Sequence, residues 1–236
     1  MIGTWINVGT ILIGSIVGLF AKKRVSREMN QLVTMVIGLV TLVLGVQLAI
    51  ETHNILILLL SLLLGGAIGT RIRIEQRLVH LGESLTRRFP RWSDSAISQG
   101  LVSASLLFCV GPMAILGALR DGLYGDWHIL GLKAVMDGVS AMILASGLGP
   151  GVLFSSVIVF VYQGGISLIA RVASEASISF SFSESLFLAE VNAAGGVVLI
   201  ALSLKLLDLR DVKAGNLLPA LAIAPLLVFL FRLVEG

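Results

Sequence analysis

Charge is what this sequence lacks most. Asp, Glu, Lys and Arg make up 13% of its 236 residues, where a soluble domain carries roughly 25%. Mean hydropathy is +0.99, and apolar runs of membrane-spanning length recur along nearly the whole chain. A soluble globular fold is excluded. Cysteine is almost absent: Cys109 stands alone in an apolar run, so no intrachain disulfide can form and the redox compartment stays open. Histidine is scarce, and His53, His80 and His128 all fall in links or at span ends. No basic stretch precedes the first apolar run, and no small-residue cleavage site follows it, so that run reads as a retained span. There is no tail or linker long enough for a second domain. His-Glu-x-x-His, Gly-x-Ser-x-Gly and a glycine loop followed by lysine are all missing. Neither an enzyme nor a cofactor is expected. The net charge of +3 gives no reason to expect nucleic acid.

What is present is a series of apolar segments. The first runs from Ile2 to Phe20, the second from about Leu32 to Ile50 and the third from Ile55 to Gly69. All three carry glycines, which let helix backbones approach closely in a membrane. The fourth, about Gly100 to Leu119, is interrupted by Gly111-Pro112, where proline removes a backbone hydrogen bond and kinks or breaks the helix. The fifth, about Ile129 to Ser146, carries Lys133 and Asp137. The sixth runs from Val152 to Ala170, and a Ser-rich link, Ser174 to Ser185, leads to the seventh, about Leu186 to Leu207. The eighth is about Ala214 to Phe231. The expectation is an all-α, glycine-rich polytopic transmembrane helical bundle of about eight spans, forming a single membrane domain over residues 1–236.

One long polar connection, about 71–90, repeats Ile74, Leu78, Leu81 and Leu85 at helical spacing, with Arg73, Arg77, Arg87 and Arg88 mostly elsewhere. This is an amphipathic helix with a basic face, suited to lie on an anionic leaflet as an anchor or to present a partner surface. The basic residues also set orientation. With eight spans and the N-terminus outside, thirteen of the seventeen Lys and Arg residues fall inside, in links 22–27, 71–91 and 205–213. Both termini are therefore expected outside.

Ionisable groups within a bilayer are costly and tend to serve an ion, a proton or a buried partner. Asp137 lies about 12 Å along the fifth span at 1.5 Å per residue, near the middle of a core roughly 30 Å thick. Lys133 is one turn away and Ser140 lies three residues beyond, all on one face. Two readings stand: a structural Asp–Lys pair, or a cation or proton site facing carbonyls freed at Gly111 and Pro112. Gln163 is at similar depth in the sixth span. Glu190 and Asn192 lie in the outer half of the seventh, as gate residues or as interfacial and interhelical groups. Cys109 and Met113 are the only hint of a soft metal site, and core packing explains them as well. Sliding the second span by 158 residues matches Gly38 with Gly196, Val40 with Val198 and Leu44 with Leu202. That offset of five spans would give a repeat of inverted topology.

Several blocks resemble the bacterial domain-of-unknown-function 554 family of integral inner-membrane proteins, over essentially the whole chain. They are Gly3-Thr4 with Asn7, Arg73-Ile74-Glu75, LLFCVGPMAILGALRDGLYGD at 106–126 and KAVMDGVSAMILASGLG at 133–149. Tyr162-Gln163-Gly164, the Glu190 to Gly196 segment and NLLPAL at 216–221 complete the match. The resemblance implies a multi-pass protein of the bacterial cytoplasmic membrane and supplies no mechanism. The residues themselves lead to a small secondary transporter or ion-translocating protein. Its site would comprise Asp137, Ser140, Gln163, Glu190 and Asn192, with Lys133 as charge partner. The alternative is a non-transporting membrane scaffold or partner-binding protein. The partners expected are the lipid bilayer, a monovalent or divalent cation or a proton, and a second copy in a homodimer.

Overall fold

The computed structural model describes residues 1–22, 27–88, 94–175 and 184–235. Among these, the chain forms ten α-helices, one short 3₁₀ helix and no strand. The helices are α1 (Ile2–Lys22), α2 (Arg27–Ala49), α3 (Ile55–Ile72), α4 (Ile74–Arg88), α5 (Asp94–Cys109), α6 (Pro112–Tyr124), α7 (His128–Leu148), α8 (Gly151–Glu175), α9 (Glu184–Leu206) and α10 (Ala220–Glu235). The 3₁₀ helix, Ala214–Leu217, precedes α10. Seven segments are long and apolar enough to cross a membrane, or eight if α5 and α6, bent by 62°, together count as one broken span rather than a re-entrant loop. The polytopic helical bundle read from the apolar runs is the observed fold. Much of the Ser-rich link, at 176–183, and parts of the 22–27 and 71–90 basic segments lie outside the described residues.

Helix is the solution the solvent demands. Backbone polar groups have no water partners in hydrocarbon, so each span must satisfy them internally. Large apolar side chains such as Ile13, Phe20, Leu63, Leu132, Val135 and Ile169 then stand exposed on the helix surfaces, where acyl chains cover them.

The chain forms two compact units, divided within α2 after Val36 and within α4 after Arg77. The first contains α1, α5, α6, α7 and α8. Here α1 packs along α7, and α8 packs on both α5 and α1. Glycine sets the α1–α7 approach: a β-carbon at Gly14 would lie 2.0 Å from the carbonyl oxygen of Gly138. The second unit contains α3, α9, the 3₁₀ helix and α10, with the second half of α2. α10 packs on α3 and α9, and a β-carbon at Gly69 would lie 1.9 Å from the carbonyl oxygen of Asn216.

The breaks have local causes. α5 ends at Cys109 and α6 begins at Pro112. Gly111 between them takes φ +131°, a region open only to residues without a β-carbon, and proline at the first helical position gives up no intrahelical bond. The eighth span, expected as one helix from Ala214, starts instead as a 3₁₀ turn and becomes α-helical only after Pro219, because proline cannot donate to the preceding turn. α3 is separated from α4 by one residue, Arg73, in the left-handed conformation at φ 59°, ψ 48°. In the second unit Gly38 meets Leu207 and Gly196 meets Ala49, so α2 and α9 run antiparallel. These two contacts exchange under the 158-residue offset. Antiparallel neighbours do this for any offset; what the offset itself contributes is the match of two glycines.

Candidate functional site

In the first unit, α1, α7 and α8 bring four polar side chains together at the interior of their spans. Asn7 comes from α1, Lys133 and Asp137 from α7, and Gln163 from α8. All four are buried: Asn7 and Gln163 are 0% exposed, Lys133 6% and Asp137 7%. Lys133 and Asp137 are one helical turn apart and form a direct ion pair through Nζ and Oδ2. The Asn7 amide donates to Asp137 Oδ2 at 3.0 Å and to Gln163 Oε1 at 3.0 Å. Both of its N–H bonds are thereby used, which fixes its orientation.

The cluster is only half satisfied. Asn7 Oδ1, Gln163 Nε2 and the nearby Thr4 Oγ1 are buried and have no hydrogen-bond partner among the described residues. Thr4 lies on α1 one turn before Asn7, and its methyl group faces Gly164 of α8. Both bonds to Asp137 fall on Oδ2, so among the described residues Oδ1 accepts none. An unpaired buried donor or acceptor costs about 1–3 kcal/mol, and three in one place call for a further polar group. The acceptors available, a carboxylate oxygen, an amide oxygen and a hydroxyl, are those that hard cations and water take.

The other expected residues fall differently. Ser140 is half-buried and makes no hydrogen bond among the described residues. Cys109 is 2% exposed and Met113 40% exposed, on either side of the α5–α6 bend. No group of three His, Cys, Asp or Glu side chains suited to a metal occurs among the described residues. Glu190 and Asn192 belong to the second unit and form a separate cluster there. Glu190 is 2% exposed, and its carboxylate accepts from Thr52 Oγ1 at 2.8 Å and from the backbone N–H groups of His53 and Asn54 at 2.7 and 2.9 Å. It thus holds the entry to α3, where anions are favoured by the helix dipole. Asn192 donates to Glu51 at 2.5 Å.

Three interactions had no counterpart among the expected site residues. Asn7, though quoted in the family pattern, joins α1 to the cluster; a lone asparagine in an apolar span was the available signal. Asp121 of α6 accepts from the Gly3 N–H at 3.2 Å and the Met1 ammonium at 2.9 Å, capping α1. Glu75 pairs with Lys205 at 2.5 Å and accepts from the Gly215 N–H at 2.9 Å, while its own N–H donates to Asn216 Oδ1 at 3.0 Å. These partners are more than a hundred residues apart, and no local spacing reveals them.

The family model described as "Protein of unknown function (DUF554)" matches residues 2–229. The chain belongs to this family. It is 32% identical over 237 residues to the uncharacterized membrane protein YdfK of Bacillus subtilis (strain 168), covering 98% of this chain and 97% of that one. It is 28% identical over 228 residues to the uncharacterized protein YqgA of Escherichia coli (strain K12), covering 95% and 94%. No solved structure matches it. The DUF554 pattern read from the residues thus extends through both units, from α1 into α10.

Proposed function

We propose that the chain is a small secondary transporter or ion-translocating protein of the bacterial cytoplasmic membrane, with Asp137 as its coupling carboxylate. The observation that carries this reading is the set of three buried polar atoms without a partner among the described residues, Asn7 Oδ1, Gln163 Nε2 and Thr4 Oγ1, beside a carboxylate whose hydrogen bonds from those residues all fall on Oδ2. A purely structural pair needs only Lys133. This one is surrounded by polar capacity that nothing in the described chain uses.

The site works by competition. Lys133 occupies Asp137 when no other cation does, and keeps the charge at mid-span neutral. A cation entering at Asp137 Oδ1, Asn7 Oδ1 and Thr4 Oγ1 displaces the ammonium, and a proton on Asp137 releases it in the same way. Each occupancy leaves Lys133 either held or free and so biases the helices that carry the two groups. The thirteen basic residues of the three basic links favour an orientation with both termini outside.

The test is thermal melting of the purified protein across a panel of monovalent and divalent cations and pH values, in wild type and Asp137→Asn. A cation at a hundred times its dissociation constant raises stability by about 2.7 kcal/mol. The expected result is a cation-specific or proton-dependent rise in wild type that Asp137→Asn lacks, followed by the same dependence in proteoliposome flux. If no cation or pH change moves wild type, and Asp137→Asn merely melts earlier, the pair is structural and the scaffold reading replaces this one.

A further inference from the structure

The second unit contains a cleft of about 500 Å³ with a basic lining. It lies where α3 gives way to α4 and where the link after α9 enters the 3₁₀ helix. Thr70, Arg73 and Gln76 line one side; Arg210, Asp211 and Lys213 line the other. Its volume is within the roughly 300–1,000 Å³ of small-ligand sites. It opens at the ends of the α3 and α9 spans, Ile72 and Leu206, and therefore at headgroup depth.

Three features single it out. Arg73, Arg210 and Lys213 make no ion pair or side-chain hydrogen bond among the described residues, whereas Asp211 is shared with Lys205 at 3.4 Å and Lys205 also holds Glu75. Counting all six, four cations face two carboxylates, and the surplus lies on the cleft wall. Arg73 also occupies the left-handed position just past α3, a place where glycine is the unstrained choice. An arginine there costs backbone strain, which use of its charge in the cleft would offset. Finally, exposed apolar residues adjoin the cations along the chain: Ile72, 43% exposed, precedes Arg73, and Leu209, 70% exposed, precedes Arg210.

We propose that this cleft binds a phosphate-bearing anion, held by the Arg73 and Arg210 guanidinium groups and the Lys213 ammonium, with Thr70 and Gln76 as neutral donors. Guanidinium forks match phosphate oxygens in pairs. The chemistry is common to an anionic phospholipid headgroup and a soluble phosphate; the exposed Leu209 favours the lipid.

The experiment measures melting and native mass spectra of the purified protein with phosphatidylglycerol, phosphatidylcholine or inorganic phosphate. It compares wild type, Arg73→Gly and the double variant Arg210→Gln with Lys213→Gln. Arg73→Gly relieves the left-handed backbone, so its unliganded form should melt no lower than wild type. Stabilisation by phosphatidylglycerol beyond phosphatidylcholine assigns the site to lipid, and stabilisation by inorganic phosphate assigns it to a soluble anion. Either supports the site if affinity falls about fivefold for each cation removed. Asp137→Asn should respond as wild type does, which separates this result from the fate of the transport reading. No stabilisation by either phosphate source, or stabilisation that survives in both variants, overturns the proposal.

Discussion

Asp121 apart, which the Gly3 N–H and the Met1 ammonium satisfy, the two units treat buried polarity in opposite ways. In the second, Glu190 and Glu75 each receive backbone N–H groups as well as side-chain partners, and the only buried side-chain atom left without a partner among the described residues is Asn192 Oδ1. In the first, Thr4, Asn7, Ser15, Ser105 and Gln163 each keep an unpaired buried atom. Backbone amides come from the ends of helices, and α3 begins next to Glu190. α1, α7 and α8 are unbroken where Asn7, Asp137 and Gln163 meet, so only side chains can answer Asp137. A carboxylate at a helix entry is therefore satisfied by the fold itself, while one in mid-helix depends on side chains or on a ligand. This contrast separates an acid satisfied by the fold from one left open to a further partner more sharply than burial, since all these acids are buried.

The largest effect should come from a feature the units share. Gly14→Val and Gly69→Val each push a side chain into a backbone carbonyl that cannot yield without moving a helix. Each should cost at least the upper end of the roughly 1–3 kcal/mol of overpacking, seen as loss of a monodisperse species in detergent. Gly9→Ala, with open space around its β-carbon, should be near neutral. Tolerance at only one of the two glycine contacts would show that the units are not built with equal tightness.

A middle effect tests the contrast itself. Glu190→Ala removes three hydrogen bonds to a charged acceptor and should lower stability by about 2–4 kcal/mol, leaving any cation or pH response in place. Asn7→Ala should cost less, about 1 kcal/mol, because its oxygen is already unpaired, yet it should abolish that response. Melting curves of both variants with and without the active cation decide this. A cation response lost in Glu190→Ala and kept in Asn7→Ala would reverse the assignment.

The smallest effect lies outside the spans. The His128 imidazole, 2.8 Å from Asp126, and the His128 N–H hold the Asp126 carboxyl below its ordinary value. A carboxylate depressed in the folded state contributes stability above its unfolded pKa and loses it as pH falls through the folded one. Asp126→Asn should therefore lower neutral-pH melting slightly, and the difference from wild type should shrink as pH falls below about 4, where the ordinary carboxylate titrates. Exposure keeps the effect small.

The sequence made the fold class legible because lipid enforces it: apolar runs of fixed length can only be helices. The span limits for α1, α3, α7 and α8 follow from composition alone. The break at Gly111-Pro112 was legible because both residues act locally. The 3₁₀ start of the eighth span was not, since nothing in AGNLLP distinguishes a tight turn from a first helical turn. For the site, Lys133 and Asp137 could be paired from their spacing. Their meeting with Asn7 and Gln163 could not, because it depends on which faces three separate helices present. The same holds for Glu75 and Lys205, joined across 130 positions.

The solitary thiol has a practical consequence. Cys109 ends α5 beside the Gly111 break and is 2% exposed. The native chain thus carries a single alkylation clock, already installed at the discontinuous helix. A motion that exposes the Cys109 thiol should quicken the labelling of one known atom, with no engineered cysteine and no cysteine-free background required.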